Sequence, residues 1–267
     1  MRWYKSSIVL QSILLVVFGG FVSVPILWVL IRSMESSVAY VVDDVRIFIC
    51  RYISLEQYKE IMFHNLEYWV AYWNTVWLTL PILILAIVAT SMSAYGLAVI
   101  NKRVQEKILM FYTVLALLPV QVLLVPQFIM LSNMQLTGQR LAVILIAYCS
   151  PWYVFFLYRL CKGIPEETFE MARVEGAGEW TVFFRIALPQ MRLGILILSF
   201  IVIADLWGMV QQPIVYLQEA SKYPLSVLFH EADEKLSYAG VMLFSLPIIL
   251  IFGESIRSVV QRERDRA

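Results

Sequence analysis

Six stretches without a charged side chain limit what this chain can become: 6–31, 68–101, 108–139, 141–158, 193–218 (interrupted only by Asp205) and 236–253. A charge at mid-bilayer costs about 3 kcal/mol or more, and a helix needs roughly 20 apolar residues to cross the hydrocarbon core. Each stretch reaches or approaches that length. A transmembrane β-strand would alternate lipid-facing and lumen-facing positions over roughly 10 residues, whereas 80–88 is apolar on every side. The pattern predicts an all-α membrane protein with six transmembrane helices in a single domain over 1–267. The spans lie roughly at 7–31, 72–100, 108–131, 141–159, 193–216 and 237–256. Composition agrees, since 60% of residues are hydrophobic and 15% charged, against about 45–50% and 25% in soluble domains.

The basic start Met1-Arg2-Trp3-Tyr4-Lys5 leads into an apolar run too long for a signal-peptide core, so it reads as a retained first helix. With the N-terminus inside, the inner segments hold 14 of the 21 Lys and Arg residues. The positive-inside tendency then puts both termini in the cytoplasm. The outer segments 33–67 and 218–235 are long enough to carry function or to serve as plain connectors. Prolines at 25, 81, 119, 126, 151, 213 and 247 free backbone groups that neighbouring helices or water must satisfy, which suits a bundle with a cavity. A net charge of +1 does not point to nucleic acid. Cys50, Cys149 and Cys161 lack metal-ligand spacing, and Cys149 and Cys161 are expected to pack as small hydrophobes.

The loop 162–192 is the most informative stretch. Pro165 before Glu166 and Glu167 predicts a helix start, with proline at the first helical position and acids at the positive end of the dipole. Gly176 predicts its end. Trp180, Phe183, Phe184 and Ala187 then form an apolar stripe on a second short helix that Pro189 is expected to stop. By pattern alone such a helix also suits a position on lipid headgroups.

The spacing carries more. Glu170-Met171-Ala172, three residues, Gly176, nine residues, and Ile186-Ala187-Leu188-Pro189 resembles the EAA loop of ABC importer permeases, with Met171 in place of the first alanine. Leu118-Pro119-Val120-Gln121 with Val125-Pro126, Leu55-Glu56-Gln57-Tyr58-Lys59 ahead of Asn74-Thr75, and Lys222-Tyr223-Pro224-Leu225 also resemble the carbohydrate-type permeases. The resemblance implies the transmembrane domain of a type I ABC importer in the bacterial cytoplasmic (inner) membrane. It would translocate a sugar or oligosaccharide delivered by an extracytoplasmic solute-binding protein. It would work with a second homologous permease and two cytoplasmic ATPase subunits. On this reading 163–191 is the cytoplasmic coupling loop, and Glu167, Glu170, Met171, Ala172, Gly176, Ala177 and Pro189 form the ATPase-coupling element. Ala172 would be small because the ATPase packs closely there. The outer segments would meet the binding protein.

The chain has no GxxxxGK[ST] phosphate loop, so ATP and Mg are expected on the partner ATPases, with no cofactor, metal or catalytic residue here. Asp205 is the one charged side chain well inside a span and is a functional-site candidate on that ground. A structural hydrogen bond is the equal alternative. With Trp207, Gln211 and Gln212 it offers the acceptors, amides and aromatic face that a sugar requires. Asn74, Gln121 and Gln127 are further candidates, although amides in membrane helices commonly bond between helices. Gly208 stands where the family usually has asparagine. An ABC importer for another solute and a stand-alone secondary transporter are the alternatives; against the latter, no inverted repeat is evident.

Overall fold

The computed structural model describes residues 2–35, 53–231 and 237–264. The middle of the outer segment 33–67 (36–52, with Cys50) and residues 232–236, which include the end of the outer segment 218–235, lie outside the described residues. Thirteen α-helices are described: α1 (Arg2–Ser33), α2 (Glu56–His64), α3 (Leu66–Val99), α4 (Lys102–Ala116), α5 (Val120–Asn133), α6 (Arg140–Ala147), α7 (Pro151–Cys161), α8 (Glu166–Val174), α9 (Glu179–Val182), α10 (Leu188–Trp207), α11 (Gln211–Leu217), α12 (Leu225–Glu231) and α13 (Tyr238–Arg264). Among the described residues the only extended pairing is one bridge, Glu35 with Ile53.

Not every expected span is one straight helix. Residues 12–33, 66–99 and 179–207 are long and apolar enough to cross a bilayer unbroken. The stretch 108–131 is split between α4 and α5, which meet at 97°, and 141–159 between α6 and α7, at 41°. In 193–216, α10 ends at Trp207 and α11 starts at Gln211. Proline causes the first two breaks. Pro119 and Pro151 lack the N–H that an internal turn needs, so each begins a new helix, with Pro119 as N-cap and Pro151 in the first turn. The residue before Pro151, Ser150, is correspondingly extended at φ −122°, ψ 129°.

The helices fall into two compact units, 1–69 with 232–247, and 70–231 with 248–267. In the first, the buried Gln57 side chain donates to the Arg32 and Glu35 carbonyls at 3.0 and 2.7 Å and accepts from the Ala239 N–H at 3.4 Å. Tyr68 donates to the Gly240 carbonyl at 3.0 Å. The described parts of the 33–67 segment are thus tied down rather than a plain connector. None of the apolar window of α1 is buried within this chain.

In the second unit the core runs through Leu78, Ile82, Ala86, Val143, Leu157, Leu198, Val202 and Tyr216. Gly194 lets α10 press against α7, since a Cβ there would collide with Leu160. At the far end of α3, Asn74 is 4% exposed and forms a hub. It accepts from the Arg140 guanidinium at 2.6 Å and donates to the Ser221 and Tyr223 carbonyls at 2.9 and 3.1 Å. The Thr75 hydroxyl receives the Leu225 N–H at 2.9 Å. These bonds strap the 218–225 segment to α3. Asn74→Leu takes a partner from the Tyr223 carbonyl, which is half-buried, and from the Ser221 carbonyl and the Arg140 guanidinium, which lie on exposed residues, so the cost is about 1–3 kcal/mol in all. The melting midpoint of the detergent-purified protein should fall by roughly 2–10 °C, as measured by thermal unfolding.

Candidate functional site

The loop 163–191 builds a distinct outward face. Pro165 is the N-cap of α8, at φ −55° and ψ 132°, one position earlier than the sequence predicts; Glu166 and Glu167 then occupy the first turn. The helix closes with two reversed hydrogen bonds, Ala177 N–H to the Ala172 carbonyl and Gly176 N–H to the Arg173 carbonyl, both 3.0 Å. This Schellman closure requires a left-handed residue, and Gly176 supplies it at φ +86°. No atom lies within 4 Å of where a Cβ would stand, so glycine is needed there for conformation and not for space.

One expectation is overturned here. Ala172 does not face outward toward a partner: it is 8% exposed and belongs to the chain's own core with Phe169. Its small size suits packing beneath α8. Helical periodicity sends Met171 and Val174 the other way, 66% and 88% exposed. With Glu167, Glu170 and Glu175 they line a shallow concavity of about 430 Å³, apolar and rimmed by carboxylates. Val174 and Glu175 are missed by the motif. Ala177 is half-buried against the core.

Tyr95 of α3 holds the loop from below. Its hydroxyl donates to Glu179 Oε2, and the Arg173 guanidinium donates to both Glu179 oxygens at 2.8 and 3.3 Å. The tyrosine ring lies 6.0 Å from Phe169 and 5.4 Å from Phe183. The hydrogen bonds to Glu179 raise the pKa of Arg173. Sequence reasoning misses this cluster because Arg173 and Glu179 are separated by a turn and match no helical pair spacing.

Pro189 does not stop the second loop helix. Residues Phe183–Ala187 form a π turn, in which the Leu188 N–H reaches back to the Phe183 carbonyl, and the chain runs on into α10. The widened turn accommodates a proline whose ring would clash with the carbonyl four residues earlier. The predicted stripe divides in consequence: Phe183 and Ala187 are buried, whereas Trp180 and Phe184 stack on each other and remain exposed.

The three helix breaks, at 117–119, 148–150 and 208–210, converge on one cavity of about 570 Å³. Its polar lining is Gln127, Ser150, Tyr153, Asp205, Gln211 and Gln212, beside the exposed indole of Trp152. The Tyr153 hydroxyl donates to Asp205 Oδ2 at 2.8 Å, and the Tyr216 hydroxyl to Gln127 Oε1 at 2.7 Å. Gln121 joins the edge through a 3.4 Å bond to Gln211.

Of the candidates, the structure brings Asp205, Gln211, Gln212 and Gln121 together and leaves out two. Trp207 stands two residues from Asp205, about 200° around the helix, and packs edge-on against Tyr72 at 5.9 Å. Asn74 is committed to the hub already described. Cys161 is buried as expected, but Cys149 is exposed on the cavity wall, because the Pro151 break unwinds the backbone around it. Trp152, Ser150 and Tyr153 are missed by sequence reasoning, although Pro151 beside them is a signal.

The comparisons with known proteins follow this geometry. A family model described as binding-protein-dependent transport system inner membrane component matches residues 86–259, which takes in the loop and all three breaks. The arabinooligosaccharides transport system permease protein of Halalkalibacterium halodurans is 26% identical over 258 residues, 93% of this chain and 92% of its own length. The diacetylchitobiose uptake system permease protein of Streptomyces coelicolor is 27% identical over 251 residues, 90% of this chain and 82% of its own. A solved chain from a bacterial ABC transporter involved in the import of the acidic polysaccharide alginate shares the fold at a TM-score of 0.80. Its sequence identity is 18% and the match covers 98% of both chains. The type I importer architecture implied by the resemblance is therefore the fold observed. The chain is a multi-pass membrane protein and belongs to the family of binding-protein-dependent transport system inner membrane components.

Proposed function

We propose that this chain is one of two permease subunits of an ATP-driven importer for a sugar or oligosaccharide handed over by a solute-binding protein. The observation that carries this reading is the convergence of three broken helices on one cavity lined by a carboxylate, amides and an exposed indole. Irregular backbone at membrane depth is tolerated where it lines a cavity, and discontinuous helices build solute sites in transporters. Hydroxyl-rich solutes with apolar faces match that lining. The names of the two relatives, which carry oligosaccharides or a disaccharide, support the same class.

Two cytoplasmic ATPase subunits would supply the drive, one seated on Met171 and Val174 of α8 within the rim of Glu167, Glu170 and Glu175. The nucleotide and its Mg belong to them. Both termini lie in the cytoplasm, by the distribution of Lys and Arg. Binding and closure of the ATPases must favour one arrangement of the bundle by differential contacts, and α8 is the element that offers those contacts. Lipid or the second permease covers α1.

Reconstitution tests the reading. The chain, purified with its partners and placed in liposomes, should take up a labelled neutral oligosaccharide only when ATP and the loaded binding protein are both present. Uptake by this chain alone, with no ATPase accompanying it from native membranes, would overturn the proposal.

A further inference from the structure

We infer that Asp205 makes the cavity a filter against anionic solutes, so that the path takes neutral, hydroxyl-rich sugars and rejects those bearing carboxylates. The inference rests on the reading of this cavity as the solute path. Asp205 is exposed to the cavity, and among the described lining residues it is the one Asp, Glu, Lys or Arg. No Lys, Arg or His stands in the lining to receive a carboxylate. The remaining polar groups are amides and hydroxyls: Gln127, Ser150, Tyr153, Gln211 and Gln212.

The Tyr153 hydroxyl spends its proton on Asp205 Oδ2, leaving the other carboxylate oxygen available to accept from a solute hydroxyl. Tyr153 lies in the first turn of α7. The partial positive charge of that helix start is therefore answered by Asp205 within the chain rather than left for a solute anion. A sugar carboxylate would meet a like charge less screened than in bulk water. A sugar hydroxyl would meet an acceptor, with the indole of Trp152 beside it for an apolar ring face.

Cys149 on the cavity wall provides the probe. In the assembled importer, Cys149 is labelled with methanethiosulfonates carrying a sulfonate, a hydroxyl or a trimethylammonium group. Rates are read by mass on the Cys149 peptide and normalised to each reagent's rate with a free thiol. A unit charge on the order of 10 Å away at an effective dielectric of ~20 changes such rates about tenfold. The sulfonate should label about tenfold more slowly than the neutral reagent. The difference should collapse in Asp205→Asn and persist in Asp205→Glu and Tyr153→Phe. Equal normalised rates in the unaltered protein, a ratio unmoved by Asp205→Asn, or no labelling by any reagent would overturn the filter. A transported neutral oligosaccharide should also slow labelling. Intact charge selection without protection by any sugar would instead count against the solute-path reading, so the two fail separately.

Discussion

Gly176→Pro leaves the protein in the membrane and reduces ATP-driven uptake to background. Proline holds φ near −65°, whereas this position sits at +86°, and it removes the N–H that bonds the Arg173 carbonyl. The end of α8 unwinds, and the outward face of Met171 and Val174 loses its orientation. The core beneath the membrane-spanning helices is untouched, so expression and insertion should match the unaltered chain. Gly176→Ala, which adds a left-handed penalty of roughly 1–2 kcal/mol, should fall between the two. Gly176→Asn should keep most of the uptake, because asparagine tolerates the left-handed region. Uptake, ATPase stimulation by loaded binding protein and membrane abundance, measured together, check the series; normal uptake in Gly176→Pro would remove α8 from the coupling role.

Neighbouring substitutions in α8 should fail in opposite ways. Met171→Asp places a charge at the apolar centre of the outward concavity while touching none of the chain's core. Thermal stability of the isolated chain should stay within about 0.5 kcal/mol, as for surface substitutions generally, while co-purification of the ATPase is lost. Ala172→Leu forces extra carbons into a site that is 8% exposed, at a cost of about 1–3 kcal/mol. The isolated chain should therefore melt lower even with no ATPase present. A stable Ala172→Leu chain that merely fails to bind the ATPase would mean that Ala172 faces the partner after all.

The contrast between these two residues shows where the sequence was informative. A motif records which positions matter but not which way each one points. Glu170, Gly176 and Pro189 were located by spacing, yet the inward turn of Ala172 depends on the register of α8 over Phe169. The apolar stretches were legible because uncharged length is a direct physical requirement of the bilayer. The breaks in three of them were less so. Pro119 and Pro151 announce a loss of backbone bonding, but whether a helix kinks or restarts depends on neighbours that arrive from elsewhere in the chain.

The same limit applies to the cavity. Asp205 stood out as a charge in an apolar run, and Gln211 and Gln212 followed from it. Tyr153 and Trp152 lie 52 or more residues away in sequence, among aromatics of a kind common in any span, and no local pattern ties them to Asp205. Trp207 was chosen for its nearness along the chain, which on a helix placed it on the opposite face. In the strap of 218–225 the two familiar stretches, Asn74-Thr75 and 222–225, prove to bond each other. The resemblance had recorded both halves of one contact without showing that they meet.

Through the π turn at Phe183–Ala187 the helix runs on without interruption from Glu179 to Trp207. Those 29 residues form a rod about 44 Å long. One end is pinned to Arg173, and the other carries Asp205. Gly194, pressed on Leu160, lies near the midpoint, with arms of roughly 22 and 20 Å on either side. Were this helix to tilt about that contact, the Glu179 end and the Asp205 end would move in opposite senses and by similar amounts.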